Sequence, residues 1–475
     1  MSKGAKFALN TALCLIFLSI IVWNANLTID FSKGLDKSSD ANPLIRIGYY
    51  LYHNGTYSQT VTDSDSPKPH AYREPAYSTY LAAVIGLNDS LKRLDIKTLG
   101  SDLQSLRTLR KSQIPLLLLT AFMAMYLVTS MTGRIGYGYI ALLLTGFSYT
   151  LLTSIISMKI ENFSALWVMT VALSFYKVVQ TKNFKYFVLL GISLGILVLT
   201  KAMFMYFYII VIGFLFWLFK TGHFDKQKFI RGTLLFFGVY SIVVGSWLIR
   251  NYVHFKSIYI TARSGAVMAV RTKYNTMNKD EYFGSFLHWT PDSYAKMKLA
   301  KKYGNNAFQP GGTLANLSRS NPNGYYRAGR AVRDDINKAH GGESPKTDKM
   351  VRRIAMKEIL SHPFSHLLVT IPMAWRGIFI ERAIMTTVPF RVNISGQVAI
   401  NLVYFISLFA SLYISIRKKK WELLAVVLPA IYLYGMNSFF THSLQRYNEP
   451  LVPVLVCLFV VLVCAFVNRP AKKQA

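Results

Sequence analysis

Cysteine is nearly missing from this chain. Its 475 residues include three. Cys14, Cys457 and Cys464 all fall in apolar stretches, so neither a disulfide framework nor a zinc-binding spacing can be built from them. Acids are scarce as well: 22 Asp and Glu stand against 54 Lys and Arg, for a formal net charge of +32. A basic chain invites a nucleic-acid reading, but the positive residues form no single patch. Many flank apolar blocks, as membrane topology requires. Many others lie in one long extramembrane region, where they suit anionic lipid or a phosphate-bearing substrate. Nucleic acid is therefore set aside as a partner. No segment recurs at a period of about 20–50 residues, which excludes a solenoid, and no inverted repeat of the transporter kind is visible. No small-residue cleavage site follows the first apolar stretch. That stretch reads as a retained helix, with Lys3 and Lys6 holding its start in the cytoplasm.

What is abundant is apolar surface, at 52% of residues. It comes in blocks of about 20 residues, the length needed to cross roughly 30 Å of hydrocarbon. The expected class is an all-α polytopic membrane protein. Ten spans are expected, near 7–29, 113–131, 136–157, 163–180, 184–200, 203–220, 231–249, 396–416, 421–440 and 450–467. Merged half-spans and the stretch 363–385 allow up to about thirteen helices. Loops carrying Arg134, Lys182, Lys226 and Arg417–Lys420, and a tail with Arg469, Lys472 and Lys473, alternate correctly to be cytoplasmic.

The chain is thus read as a first helix (1–29), an external catalytic loop (30–112), spans two to seven (113–249), an external basic loop or lid (250–395), and C-terminal spans with a cytoplasmic tail (396–475). In the first loop, residues 43–53 and 77–94 are amphipathic enough to lie in the membrane interface, joined by a polar tether at 59–70. The Gly-, Asn-, Lys- and Tyr-rich stretch 275–350 reads as a mobile loop with short helices, a lid. Residues 363–385 are apolar but hold Arg376, Glu381 and Arg382. They are read as re-entrant or interfacial.

The middles of the first seven spans hold almost no charge. The informative charges sit at outer ends: Asp40, Arg73, Glu74, Lys159, Glu161, Lys201, Arg250, His442, Arg446 and Glu449. A transporter places its ionisable groups near the bilayer midplane, so this distribution argues for a site at the outer leaflet. Sugar transfer from a lipid phosphate to a hydroxyl needs such a set. A carboxylate takes the acceptor proton, and cations steady the charge growing on the leaving phosphate. A lipid-linked saccharide flippase and a non-catalytic envelope assembly protein are the competing classes. The first needs a charged central path, and the second is indifferent to Asp40 and Arg73.

Six segments resemble one family. Asp40 is followed by an aromatic helix, Gly55 and Tyr57. Arg73-Glu74-Pro75-Ala76-Tyr77 is similar to an R-x-P-x-Y knot before an apolar helix. Glu161 in SMKIENFSALW, Lys201 in LGILVLTKAM, Arg250 in GSWLIRNYVHF and Arg446 in LQRYNEPLVPVL complete the order. Together they resemble the GT-C glycosyltransferases of the protein O-mannosyltransferase and lipid A aminoarabinose transferase type. The likeness covers about 30–260 and 360–465, and the middle loop matches nothing in it. Two positions depart from the pattern: Ala41 follows Asp40 where many members have an Asp-Glu pair, and Tyr72 stands where the aminoarabinose transferases have Glu.

The resemblance implies an inverting enzyme in the inner membrane, with its active site on the extracytoplasmic face. The donor would be a sugar on undecaprenyl phosphate or a similar polyprenyl phosphate. The acceptor would be lipid A, O-antigen, another envelope glycan or a protein. Asp40 would be the base, and Glu161 would orient the acceptor or a cation. Arg73, Lys201, Arg250 and Arg446 would hold the donor phosphate. Tyr72, Glu74, Tyr77, His442 and Tyr447 would contact substrate. No cofactor is fixed, and a divalent cation is the one candidate.

Each residue also has a plainer role. Asp40 is placed to cap a helix, with Asp30 and Asp36 as rival bases. Arg73 could pair with Glu74 or a lipid headgroup, Glu161 could favour a helix N-terminus, and Lys201, Arg250 and Arg446 could anchor span ends. His362 and His366 share an i,i+4 spacing suited to a metal, but Pro363 lies between them and no third ligand is near.

Overall fold

In a computed structural model of the chain, residues 3–29, 31–32, 34–35, 40–60, 66–291, 293–381 and 394–468 are described. Asp30, Asp36 and Arg382, part of the tether, and the tail cations Arg469, Lys472 and Lys473 lie outside them. Among the described residues all regular structure is helical. Nine of these helices are long and apolar enough to cross a membrane, and the shorter apolar helix Phe184–Thr200 makes a tenth. Each expected span therefore coincides with a helix.

The bundle has an axis and a margin. In the helix Glu161–Thr181, 89% of the most apolar window is buried, against 6% in Phe7–Thr28. The axis helix lines up Ser164, Ala165, Ala172 and Ser174, all buried. Such small side chains let neighbouring backbones approach closely, which is how helices associate where lipid removes the hydrophobic drive. Phe184–Thr200, Trp421–Phe440 and Ile114–Thr132 pack around it.

The first loop packs two helices, Ala41–Asn54 and Pro75–Gly86, against each other. Ala41, Leu44, Ile45, Tyr77, Leu81 and Ile85 form the apolar cluster between them. Gly55, at φ +62°, closes the first helix in the left-handed region, where a side chain is strained. The second helix stops at Gly86, short of the expected residue 94. Asn88 then accepts from the Ser90 N–H and starts a separate turn, Asp89–Lys92, because capping satisfies the backbone better than continuing through Gly86.

The long region after Phe255 is a helical cap. It comprises Ser264–Lys273, Lys279–Trp289, Ser293–Tyr303, Tyr325–Ala339 and Pro345–Ser361. Two capping boxes fix helix starts, Asn278 with Glu281 and Ser344 with Thr347. Val270, Tyr274, Trp289, Leu299, Leu314 and Tyr325 pack into a core that also takes Val369 and Met373. Those last two belong to the helix Pro363–Ile378. The short helices agree with the sequence. The apolar core beneath them was hidden by a Gly- and Asn-rich composition.

Within 363–385, helical structure ends at Ile378. Glu381 is buried and accepts from the Ser148 hydroxyl at 2.9 Å and the Thr150 N–H at 3.3 Å. It thereby pins this segment to the break between the helices Ile135–Gly146 and Tyr149–Ile156.

Candidate active site

The site is built from helix ends, where sequence punctuation turns the chain. Asp40 stands at the start of Ala41–Asn54, yet its carboxylate makes no capping hydrogen bond. Instead Arg73 Nη2 donates to Oδ1 at 3.0 Å and Arg446 Nη1 donates to Oδ2 at 2.8 Å. Residues 40, 73 and 446, separated by most of the chain, converge on one carboxylate. Burial alone would raise the Asp40 pKa. The fields of Arg446 and Arg73 outweigh it and hold the group well below the usual carboxylate range.

Arg73 is positioned by backbone pairing with a later segment. Ala262 N–H donates to Ala71 O at 3.0 Å and the Thr261 hydroxyl donates to Tyr72 O at 2.7 Å. The Trp-x-x-Arg-Asn-Tyr segment fastens that partner strand of chain. Trp247 Nε1 donates to Ile260 O at 2.9 Å and Asn251 Nδ2 to Tyr259 O at 2.7 Å. Arg250 is part of the same fastening. Its Nη1 donates to His70 O at 2.9 Å, and its guanidinium lies 4.8 Å from the Trp247 ring centroid. The structure therefore spends Arg250 on backbone carbonyls and ring faces and does not bring it to Asp40.

Lys201 follows the last residue of Phe184–Thr200, in extended conformation, before the 3-10 turn Ala202–Tyr206. Its Nζ donates to Tyr447 O at 2.9 Å. Burial lowers its pKa, and Glu161, Glu449 and Glu74 work against that fall. Glu161 opens the axis helix as a buried side chain, and its Oε2 has no hydrogen-bond partner among the described residues. It lies in the field of Lys201 and Arg446. Glu74 is nearby and accepts from the Ala202 N–H at 3.5 Å.

The remaining expected residues are held by their neighbours. Tyr77 is buried beside Phe163 and Tyr80, with its hydroxyl directed to Met158 O. Tyr72 receives a hydrogen bond from Arg333 at 3.4 Å. Tyr447 packs edge-on against His442. His442 is buried, and neither ring nitrogen has a hydrogen-bond partner among the described residues. Burial, then Arg376, Arg319, Arg446 and Arg263, push its pKa far down, so the imidazole is neutral.

Sequence reasoning missed three cations. Arg263 lies in the field of Tyr447, Tyr72, Glu74 and Asp40, which raises its pKa against the effect of burial. Arg376 donates to His442 O at 3.1 Å and sits over the Trp289 ring. Arg319 stacks on Tyr326 at 4.1 Å. Arg376 had a signal, as an Arg inside an apolar stretch. Arg319 had none.

A divalent cation does not fit the side chains as they stand. Among the described residues no group of three His, Cys, Asp or Glu converges, and both Asp40 oxygens are taken by guanidinium groups. His366 does not join His362 in a metal pair: its ring meets Asn275 and Phe439 O, while His362 pairs with Glu358.

No protein-family model and no curated relative matches this sequence. Solved structures do. The oligosaccharyltransferase of Archaeoglobus fulgidus, in a complex with Zn and sulfate, is similar over 95% of this chain and 49% of its own, with 12% identity and a TM-score of 0.51. The same organism's oligosaccharyltransferase AglB, with an inhibitory peptide and a dolichol-phosphate, gives 97% and 52% coverage, 13% identity and a TM-score of 0.48. ArnT from Cupriavidus metallidurans, bound to undecaprenyl phosphate, gives 97% and 78% coverage at 12% identity and a TM-score of 0.35. The chain spans about half the length of the oligosaccharyltransferase it matches. At these identities the likeness is one of fold alone, shared with the archaeal oligosaccharyltransferase.

Proposed function

We propose that this chain is a membrane glycosyltransferase. It would move a sugar from a polyprenyl-phosphate donor to an envelope glycan, lipid or protein at the outer face of the cytoplasmic membrane. The observation that carries this reading is the clasp of Asp40 between Arg73 and Arg446, with Lys201 and Glu161 beside it.

The clasp suits the two halves of the reaction. Arg73, Arg446 and Lys201 would receive the donor phosphate, Arg through its planar fork and Lys as a point charge. A phosphate arriving there competes with Asp40 for the same guanidinium groups. As they turn to the phosphate, the carboxylate loses the partners that suppress its proton affinity. Asp40 then takes the acceptor's O–H proton while that oxygen bonds to the sugar's anomeric carbon. The bond from that carbon to the phosphate oxygen breaks, and the phosphate leaves with the electron pair. Glu161, buried and short of partners, would hold Lys201 and Arg446 in place as the charge moves.

The test is transfer by purified protein given an undecaprenyl-phosphate sugar and acceptor membranes. Loss of transfer in Asp40→Asn, with the protein still folded, is expected. Full turnover by that variant would remove Asp40 as the base.

A further inference from the structure

A second cationic site adjoins the first. Between the cap, the helix Pro363–Ile378 and the turn after Phe440 lies a cavity of about 920 Å³. Lys296, Arg319, Arg376 and Arg446 line it, and among the described residues no Asp or Glu does. Trp289, Leu299 and Phe308 give it apolar and aromatic walls. His288, also on the wall, has its pKa pushed down to about 4 by burial, then by Arg376 and Lys296, so it adds no charge near neutral pH. Aromatic walls with a few convergent polar groups are the make-up of a small-molecule site. Three cations beside the Asp40-paired Arg446, with no carboxylate among the described lining residues, favour an anion.

Two features fix which anion. None of the described lining residues belongs to a candidate membrane span, which favours a water-soluble group over a polyprenyl tail. Arg446, however, faces both compartments: it lines the cavity and holds Asp40 Oδ2 at 2.8 Å. A group in the cavity therefore lies one side chain from the carboxylate that would take the acceptor proton.

We infer that this cavity binds the acceptor, and that the acceptor is a saccharide carrying a phosphate or carboxylate group. Arg319 and Arg376 pair with the anionic group, and the ring packs against Trp289 and Phe308. The assignment of the occupant as acceptor rests on the transferase reading above. The anion site itself does not.

The experiment uses the full chain in nanodiscs of zwitterionic lipid. Glucose 6-phosphate, glucuronate and glucose are titrated and followed by saturation-transfer NMR, with and without saturating undecaprenyl phosphate. The two anionic sugars are expected to bind about tenfold more tightly than glucose. Arg319→Gln and Arg376→Gln each remove most of that preference. Arg376→Lys retains it, which separates charge from folding, and undecaprenyl phosphate does not displace the sugars. Displacement by undecaprenyl phosphate would assign the cavity to the donor and overturn the proposal. Equal binding of glucose, or indifference to both Gln variants, would also overturn it. No turnover is read, so a failed transferase assay and a failed binding assay give different results.

Discussion

Two neighbouring regions treat arginine in opposite ways. At the clasp, Arg73 and Arg446 close on a carboxylate, so their charge is held in reserve. In the cavity under the cap, Arg319 and Arg376 lean on the faces of Tyr326 and Trp289, and no acid among the described residues lines the space. Aromatic faces orient a guanidinium without neutralising it. One region has an internal stand-in for an anion, and the other shows none among the described residues. Under the transferase proposal, the contrast suits a donor that must expel a resident carboxylate and an acceptor that need only enter.

The sharpest way to break that contrast is at the carboxylate. Asp40→Asn keeps the shape and removes the proposed base, and we expect transfer to fall by about 10³-fold, within the range for losing a general base. A steady-state assay with matched thermal unfolding checks it. Arg446→Lys comes next, because a point charge cannot serve both compartments as the planar fork does. Transfer is expected to fall about 10²-fold, with KM rising for both substrates. A rise for one alone would show that Arg446 serves one region only. Arg319→Gln is milder and selective: KM for the acceptor rises about tenfold, while KM for the donor and kcat hold.

Arg250 marks where sequence reading reaches its limit. Its motif is as conspicuous as that of Arg446, though Arg250 lies inside the helix Lys226–Phe255 and Arg446 in a turn after Trp421–Phe440. Pattern alone gives them one role, and only the fold separates a guanidinium bonded to His70 O from one bonded to a carboxylate. Arg250→Gln is therefore expected to lower stability by about 2 kcal/mol through lost charged hydrogen bonds, read as a lower Tm, with KM for the donor little changed. The spans were legible because twenty-residue apolar blocks have few alternatives. Asp40, Arg73 and Arg446 were legible because each is a charge beside turn punctuation. The cap core and Arg319 were not, since short helices with Gly-rich joints carry no long periodic signal. Their contacts are set by tertiary packing.

The smallest expected effect is an absence in the pH profile. The folded pKa of Asp40 is depressed. Its stabilising contribution is thus complete above the unfolded value of about 3.9 and is lost only as pH falls through the folded one. Stability from this site should be flat from about pH 5 upward, and kcat/KM, which reports the free enzyme, should show no acid limb from Asp40 there. A limb in kcat alone would mean that the donor complex has freed the carboxylate. An acid limb in kcat/KM near pH 6 would contradict the clasp.

Gly377 lies where the helix Pro363–Ile378 meets the turn carrying Arg446. A Cβ on it would come within 2.7 Å of Asn448 Nδ2 and 2.9 Å of Ser443 Oγ. Asn448 also donates to Gly377 O at 3.1 Å, and Arg376 to His442 O at 3.1 Å. Helix and turn are thus bolted together, and the gap between the guanidinium groups of Arg376 and Arg446 is set by the bolt. If the cavity takes the acceptor proposed above, this fixed spacing would grade it by the length between its charged group and its hydroxyl.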